Sequence, residues 1–304
     1  MAQRKSGNEK EYLVCYTLFS LKWKPEENAV TKMNNWASRY AVPVENQIAI
    51  TKEWLKKFDI TEDAPGTFNI ILDNMGTSGK RKESTTADII VFPLPPSPSI
   101  MFSIKNNNTF LKSPCPNAFP EQSGIHDTGF RLQYNDIMDE WHQELITKFG
   151  GRFPVKSDKM KYYDIINNLI KSFLITYDAE KYIRFILDIN EESPDKYIIK
   201  YNKDTVHIYS IDIDLNQYNI VIGNVRETFL YINLVHKTKK IEPIEIQLRI
   251  KNYEGFVRKT SKVLPIKYTV SIRNLDRFRC MRCRIRSSAP KRAPLCEAHR
   301  NRIN

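Results

Sequence analysis

The sequence predicts an α/β (α+β) protein, and three features predict it. Apolar residues recur at helical spacing in four stretches. Short β-branched and aromatic runs lie between Pro- and Gly-rich turns over residues 67–105, and six further strand-like runs follow from Lys196. The chain of 304 residues is 41% hydrophobic and 27% charged, which supplies a buried core for one large domain or two ordinary ones. No run of about 18 apolar residues occurs, so no membrane-spanning helix is expected. The polar start MAQRKSGNEK leads into no signal-peptide core. A soluble, cytoplasmic protein is therefore expected.

Asn8–Lys22 reads as a helix with Tyr12, Cys15, Phe19 and the Lys22 stem on one stripe, Leu18 beside it, and Gly7 and Asn8 as start signals. Val44–Phe58 reads as a second helix through Ile48, Ile50, Trp54, Leu55 and Phe58. Thr67–Leu72 is a strand, and Asn74–Thr85 is loop by composition. Ala87–Phe92 (ADIIVF) and Ile100–Lys105 (IMFSIK) are strands joined by the seven residues PLPPSPS, which cannot form a strand interior. So short a connection favours antiparallel pairing. A Pro-rich loop covers 106–124, and Asp136–Phe149 and Lys161–Ile175 are helical by period. KYIIKY, TVHIYSIDI, YNIVIG, TFLYINLVH, IEIQLRIKN and IKYTVSI are then strands. The expected regions are a core at 1–155, a strand-rich region at 156–272 and an Arg-rich module at 273–304.

Lys and Arg number 47 against 35 Asp and Glu, a net charge of +12, which favours polyanionic partners through counterion release. Ten basic residues and two acids fall between Arg273 and Arg302, so +8 of that charge lies in the C-terminal tenth. Five cysteines, an odd number, argue against a disulfide framework. Cys280, Cys283, Cys296 and His299 spell C-x2-C-x12-C-x2-H, a spacing that lets two knuckles turn onto one tetrahedral Zn²⁺. Four protein ligands close the site, so this zinc is expected to be structural, ordering a tail with few apolar residues. Arg282, Arg284 and Arg286 beside the first knuckle would grip phosphate or read guanine.

Asp88 opens one strand of the 87–105 pair and Lys105 ends the other, so antiparallel pairing predicts that they are neighbours. Ser103 shares the Lys105 face by the period of two. The same pair could be no more than an ion pair at a sheet edge. Phosphodiester hydrolysis needs these residue types: a carboxylate for Mg²⁺ and a lysine to orient water and offset developing charge. T-A-Asp88-I-I-V followed by F-Ser103-I-Lys105-N-N-N resembles the PD-(D/E)xK signature of many type II restriction endonucleases, in the form whose active-site strand reads S-x-K-x-N. The resemblance is strongest over Thr85–Asn108, with weaker echoes at Gly7–Glu11 and Ile246–Lys251.

The resemblance implies a mixed central sheet flanked by helices, Mg²⁺-dependent cleavage of double-stranded DNA, often a homodimer, and a companion methyltransferase. It implies Asp88 as metal-binding acid and Lys105 as catalytic lysine. Ser103 stands where most members carry Asp or Glu, so a second acid must come from elsewhere. Glu11 is the leading candidate, with Glu9 and Glu83 behind it; each could equally be a solvated acid. Asn106, Asn107 and Asn108 would reach phosphate or an adenine edge, or simply end the strand. Lys80, Arg81 and Lys82 add positive charge beside the site.

The histidines at 126, 142, 207 and 236 show no zincin spacing, and no phosphate-binding Gly loop occurs. Arg249 and Lys251 share a strand face and could touch a DNA backbone. Two other readings stand beside the restriction enzyme: a non-catalytic zinc-containing DNA- or RNA-binding protein, and a homing or repair nuclease on the same core.

Overall fold

The computed structural model describes residues 2–64, 66–71, 88–106, 114–122, 124–125, 128–154, 156–187, 189, 195–202, 205–211, 213–226, 228–252, 266–278 and 285–286. The helices are α1 (Ala2–Ser20), α2 (Glu27–Ala37), α3 (Glu45–Leu55), α4 (Phe119–Gln122), α5 (Thr128–Phe149), α6 (Lys156–Thr176) and α7 (Ala179–Leu187). The strands are β1 (Lys24–Pro25), β2 (Gly66–Ile70), β3 (Ile89–Pro93), β4 (Ile100–Asn106), β5 (Asp195–Asn202) and β6 (Thr205–Ser210). They continue with β7 (Tyr218–Ile222), β8 (Phe229–His236), β9 (Ile244–Asn252), β10 (Ile266–Ile272) and β11 (Ile285–Arg286). The protein is mixed α/β, and no described helix is long and apolar enough to cross a membrane.

Two compact units share the chain, and neither is one contiguous segment. The first comprises Met1–Thr109, Glu191–Asp212 and Leu275–Asn304; the second comprises Phe110–Asn190 and Ile213–Asn274. A break at 155/156 would separate α5 from α6, which pack together within the second unit. Likewise β5 and β6 belong with the N-terminal strands, not with the strands that follow them. Their parallel entry beside β4 requires a long crossover, and the first stretch of the second unit is that connection.

The first unit is built on a seven-stranded mixed sheet of order β1-β2-β3-β4-β5-β6-β11. Strands β2, β3 and β4 pair antiparallel, β4 and β5 parallel, and β5 and β6 antiparallel. Helices α1 and α3 bury Leu13, Val14, Cys15, Leu18, Trp54 and Leu55 in one core with Phe102, Ile104, Tyr197 and Ile199 of the sheet. Trp54 and Phe58 both meet Phe102 edge-on at 5.1 Å, geometry that suits the aromatic quadrupole. Register sets Phe102 beside Tyr197 and Ile104 beside Ile199, so these residues share the helix-covered face. Alternation then sends Ser103, Lys105, Ile198 and Lys200 to the opposite face.

Phe19, expected on the buried stripe of α1, is 59% exposed, whereas Leu13, Val14 and Thr17 are buried. The helix packs against α2, α3 and β4 at once. It is therefore buried around most of its girth, and a single stripe does not describe it.

The second unit carries an antiparallel sheet of order β10-β9-β8-β7. Leu230, Ile232 and Leu234 of β8, with Ile246, Leu248 and Ile250 of β9, are buried on one face, against which α6 packs. An aromatic cluster of Phe119, Phe130, Phe173 and Tyr182 fills the helical side, and Trp141 stacks on Tyr162 at 4.9 Å.

Candidate active site

Ile89 lies opposite Phe102 in the β3–β4 ladder, which places Asp88 beside Ser103. The Asp88 N–H donates to the Phe102 carbonyl at 2.8 Å. Its carboxylate Oδ2 accepts the Ile104 N–H at 2.6 Å and the Ser103 hydroxyl at 3.3 Å. The Lys105 Nζ stands 3.6 Å from that same oxygen. Seventeen positions apart in the chain, Asp88 and Lys105 therefore meet at one end of the hairpin. Their side chains are 26% and 15% exposed, so the pair is partly desolvated yet reachable.

The carboxylate also does a structural job. By accepting the Ile104 N–H it takes the place of a main-chain carbonyl and extends the ladder past the end of β3. Ser103, 1% exposed, holds the same oxygen from beneath. Among the described residues these bonds all fall on Oδ2.

The site continues across the sheet. Lys105 is registered beside Lys200 of β5, and Lys200 beside His207 of β6. Register partners share a face, so Lys105, Lys200 and His207 form one row across three strands spaced about 4.8 Å apart. The His207 Nε2 is 3.3 Å from the Thr205 hydroxyl. Sequence reasoning did not find Lys200 or His207 as site residues. Their alternation within KYIIKY and TVHIYS was visible, but which strands pair is set by long-range packing.

Glu11 is on α1. Helix α1 covers the Phe102–Ile104 face, away from Ser103 and Lys105. Lys10 marks its level, with Nζ 5.4 Å from the centre of the Tyr201 ring, and burial lowers the Lys10 pKa. Glu11 is half-buried. Its charge, after the larger effect of burial, pushes the Cys15 thiol well above its usual range. Glu9 is exposed. Asn106 is registered beside Tyr201 and so belongs to the helix-covered face. A carboxylate not singled out in the sequence, Glu26, accepts from Asn69 Nδ2 at 2.7 Å and lies 3.4 Å from the Thr67 hydroxyl.

Asn107, Asn108, Lys80, Arg81, Lys82, Glu83, Arg282, Arg284, Cys280, Cys283, Cys296 and His299 lie outside the described residues. Arg286 is in β11, whose backbone pairs antiparallel with β6 two residues after Cys283.

Among the described residues no group of three or more His, Cys, Asp or Glu side chains is arranged around a metal position. Mg²⁺ is commonly held by one or two carboxylates, with waters and substrate phosphates completing its shell. Asp88, partly exposed and with Oδ1 outside the bonds above, fits a one-carboxylate site that a phosphodiester would complete. Comparison with protein-family models, with curated proteins and with solved structures finds no match to this chain.

Proposed function

We propose that this protein is a Mg²⁺-dependent, site-specific endonuclease of double-stranded DNA, a type II restriction enzyme with a PD-(D/E)xK-like core in its first unit. One observation carries the reading: a lysine, a hydroxyl and a main-chain N–H of one strand converge on a single oxygen of a carboxylate at the end of the neighbouring strand.

In this reading Asp88 would hold the ion. A bound Mg²⁺ polarises the scissile phosphate and acidifies water. The Lys105 ammonium, 3.6 Å from Asp88 Oδ2, would offset negative charge that builds on the phosphate oxygens. Ser103 and the Ile104 N–H keep Asp88 in one rotamer. Lys200 and His207 would seat the adjoining phosphate, and Glu11 would supply the second carboxylate. Asn106, Asn107, Asn108, Arg282, Arg284 and Arg286 are assigned to DNA contacts. A Zn²⁺ on Cys280, Cys283, Cys296 and His299 would order the C-terminal module. A homodimer, a companion methyltransferase and a cytoplasmic site of action belong to the same proposal.

A second reading has its own support. Because Asp88 Oδ2 already caps the Ile104 N–H, the pair could serve the sheet alone, leaving a zinc-containing protein that binds DNA or RNA without cutting. Unmethylated plasmid incubated with the protein in Mg²⁺ or in EDTA separates the two. Discrete fragments in Mg²⁺ only, lost in Lys105→Ala, support the nuclease. Shifted but intact DNA supports the binding protein. Zinc content near one per chain tests the C-terminal module.

A further inference from the structure

The second sheet buries one face and presents the other with a distinct chemistry. That other face carries Phe229 and Tyr231 of β8, Gln247, Arg249 and Lys251 of β9, and Lys267 of β10, each exposed or half-buried, around a buried Thr269 opposite Arg249. Register places Lys251 directly opposite Lys267, and Arg249 directly opposite Phe229. Like charges directly opposed on neighbouring strands destabilise a sheet. Burial first, and then the charges of Lys267 and Arg249, lower the Lys251 pKa. A bound polyanion would turn the interaction of these three cations favourable. Among the described residues the acid on this face is Glu245, further along β9, with its carboxylate 3.6 Å from Arg273 and engaged by Gln247.

The aromatic pair narrows the class of polyanion. Phe229 and Tyr231 stack with centroids 5.8 Å apart and planes 23° from parallel. The Arg249 guanidinium lies 5.4 Å from the Phe229 ring centre. A π surface rimmed by cations matches a ligand with planar bases on a charged backbone; an acidic peptide would use the cations and leave the rings without partners.

We propose that this face of the β7–β10 sheet binds nucleic acid, with Arg249, Lys251 and Lys267 on phosphates and Phe229 and Tyr231 against sugars or bases. The inference stands on the second unit's own residues and does not need Asp88 or Lys105 to be catalytic.

The test is binding of a fluorescent 30-nucleotide strand and its duplex, by anisotropy in EDTA so that cleavage plays no part. The triple variant R249Q/K251Q/K267Q is compared with K237Q/K239Q/K240Q, which removes the same charge from exposed positions near the β8–β9 turn. Neutralising a cation that sits on one phosphate lowers the salt slope of binding by about 0.9 on duplex and about 0.7 on single strands. The first triple is expected to lower the slope by about 2 to 3 and to weaken binding at least about ten-fold near 0.1 M salt. The control triple is expected to stay near wild type. Lys251→Arg, which keeps the charge, should bind as wild type and guards against a folding defect in the glutamine variants. Equal losses of affinity in the two triples, or displacement of the nucleic acid by polyglutamate as readily as by unlabelled DNA, would overturn the proposal. Because no cleavage is read, a chain that binds here and never cuts refutes only the nuclease.

Discussion

Removing one oxygen atom from Tyr201 should cost the first unit a large share of its stability. The Tyr201 hydroxyl accepts the Trp54 indole N–H at 2.9 Å and lies 3.1 Å from the Thr51 hydroxyl. Trp54 and Thr51 are fully buried and Tyr201 is 5% exposed, so water cannot replace the missing partner. In Tyr201→Phe the ring packing survives. The indole N–H is orphaned at a cost of about 1–3 kcal/mol, and the threonine loses a second bond at a similar cost. The two together give about 2–6 kcal/mol. With a urea slope of about 2 kcal/mol per molar, the midpoint should fall by about 1–3 M. Tryptophan fluorescence is the natural readout, since Trp23, Trp36 and Trp54 all belong to the first unit and only Trp141 to the second. Adding Thr51→Val to the tyrosine variant should cost less than Thr51→Val alone, because the shared bond is already gone. A Tyr201→Phe midpoint within about 0.2 M of wild type would show that this buried junction does not hold α3 to the sheet, whatever the slope.

Burial raises the phenol pKa of Tyr182, Tyr201 and Tyr268 above the ordinary 10.0 and takes Tyr163 up to about 12. Groups raised in the folded state contribute fully below the unfolded pKa and lose that contribution above it. Unfolding free energy should therefore fall from about pH 10 upward, with a shallower fall in Tyr201→Phe; a flat alkaline profile would refute this. Gly66→Ala should cost about 1–3 kcal/mol in urea melts, because a Cβ there would lie 2.4 Å from the Phe92 carbonyl oxygen and 2.6 Å from the Trp23 ring. Lys200→Ala should weaken DNA binding and raise KM while leaving kcat near wild type, and Lys200→Arg should restore the affinity. A fall in kcat alone would remove Lys200 from the phosphate row.

The helix and strand segments were largely legible because their cues are local. The ADIIVF–IMFSIK hairpin was the most legible element, since a connection of seven residues leaves little choice of partner. The meeting of Asp88 and Lys105 follows from that hairpin. What could not be read depends on distant pairing. Nothing in KYIIKY says that it will lie parallel to β4 across an intervening stretch of the other unit, so Lys200 and His207 could not be placed beside Lys105. Helix α2 was missed because its Asn-rich sequence buries only Ala29 and Trp36, too few anchors for a periodic signal. The capping role of Asp88 toward the Ile104 N–H was also hidden, since it appears only when the strand end is built.

Asp88→Asn offers the sharpest test of the catalytic claim, because the amide keeps an acceptor oxygen for the Ile104 N–H while removing the charge that a metal-dependent nuclease requires. With wild type and variant matched for urea midpoint, the account predicts that wild type cuts plasmid in Mg²⁺ and that the variant is slower by on the order of 10²-fold or more. An inert wild type, or an Asp88→Asn protein that cuts at the wild-type rate, would contradict it.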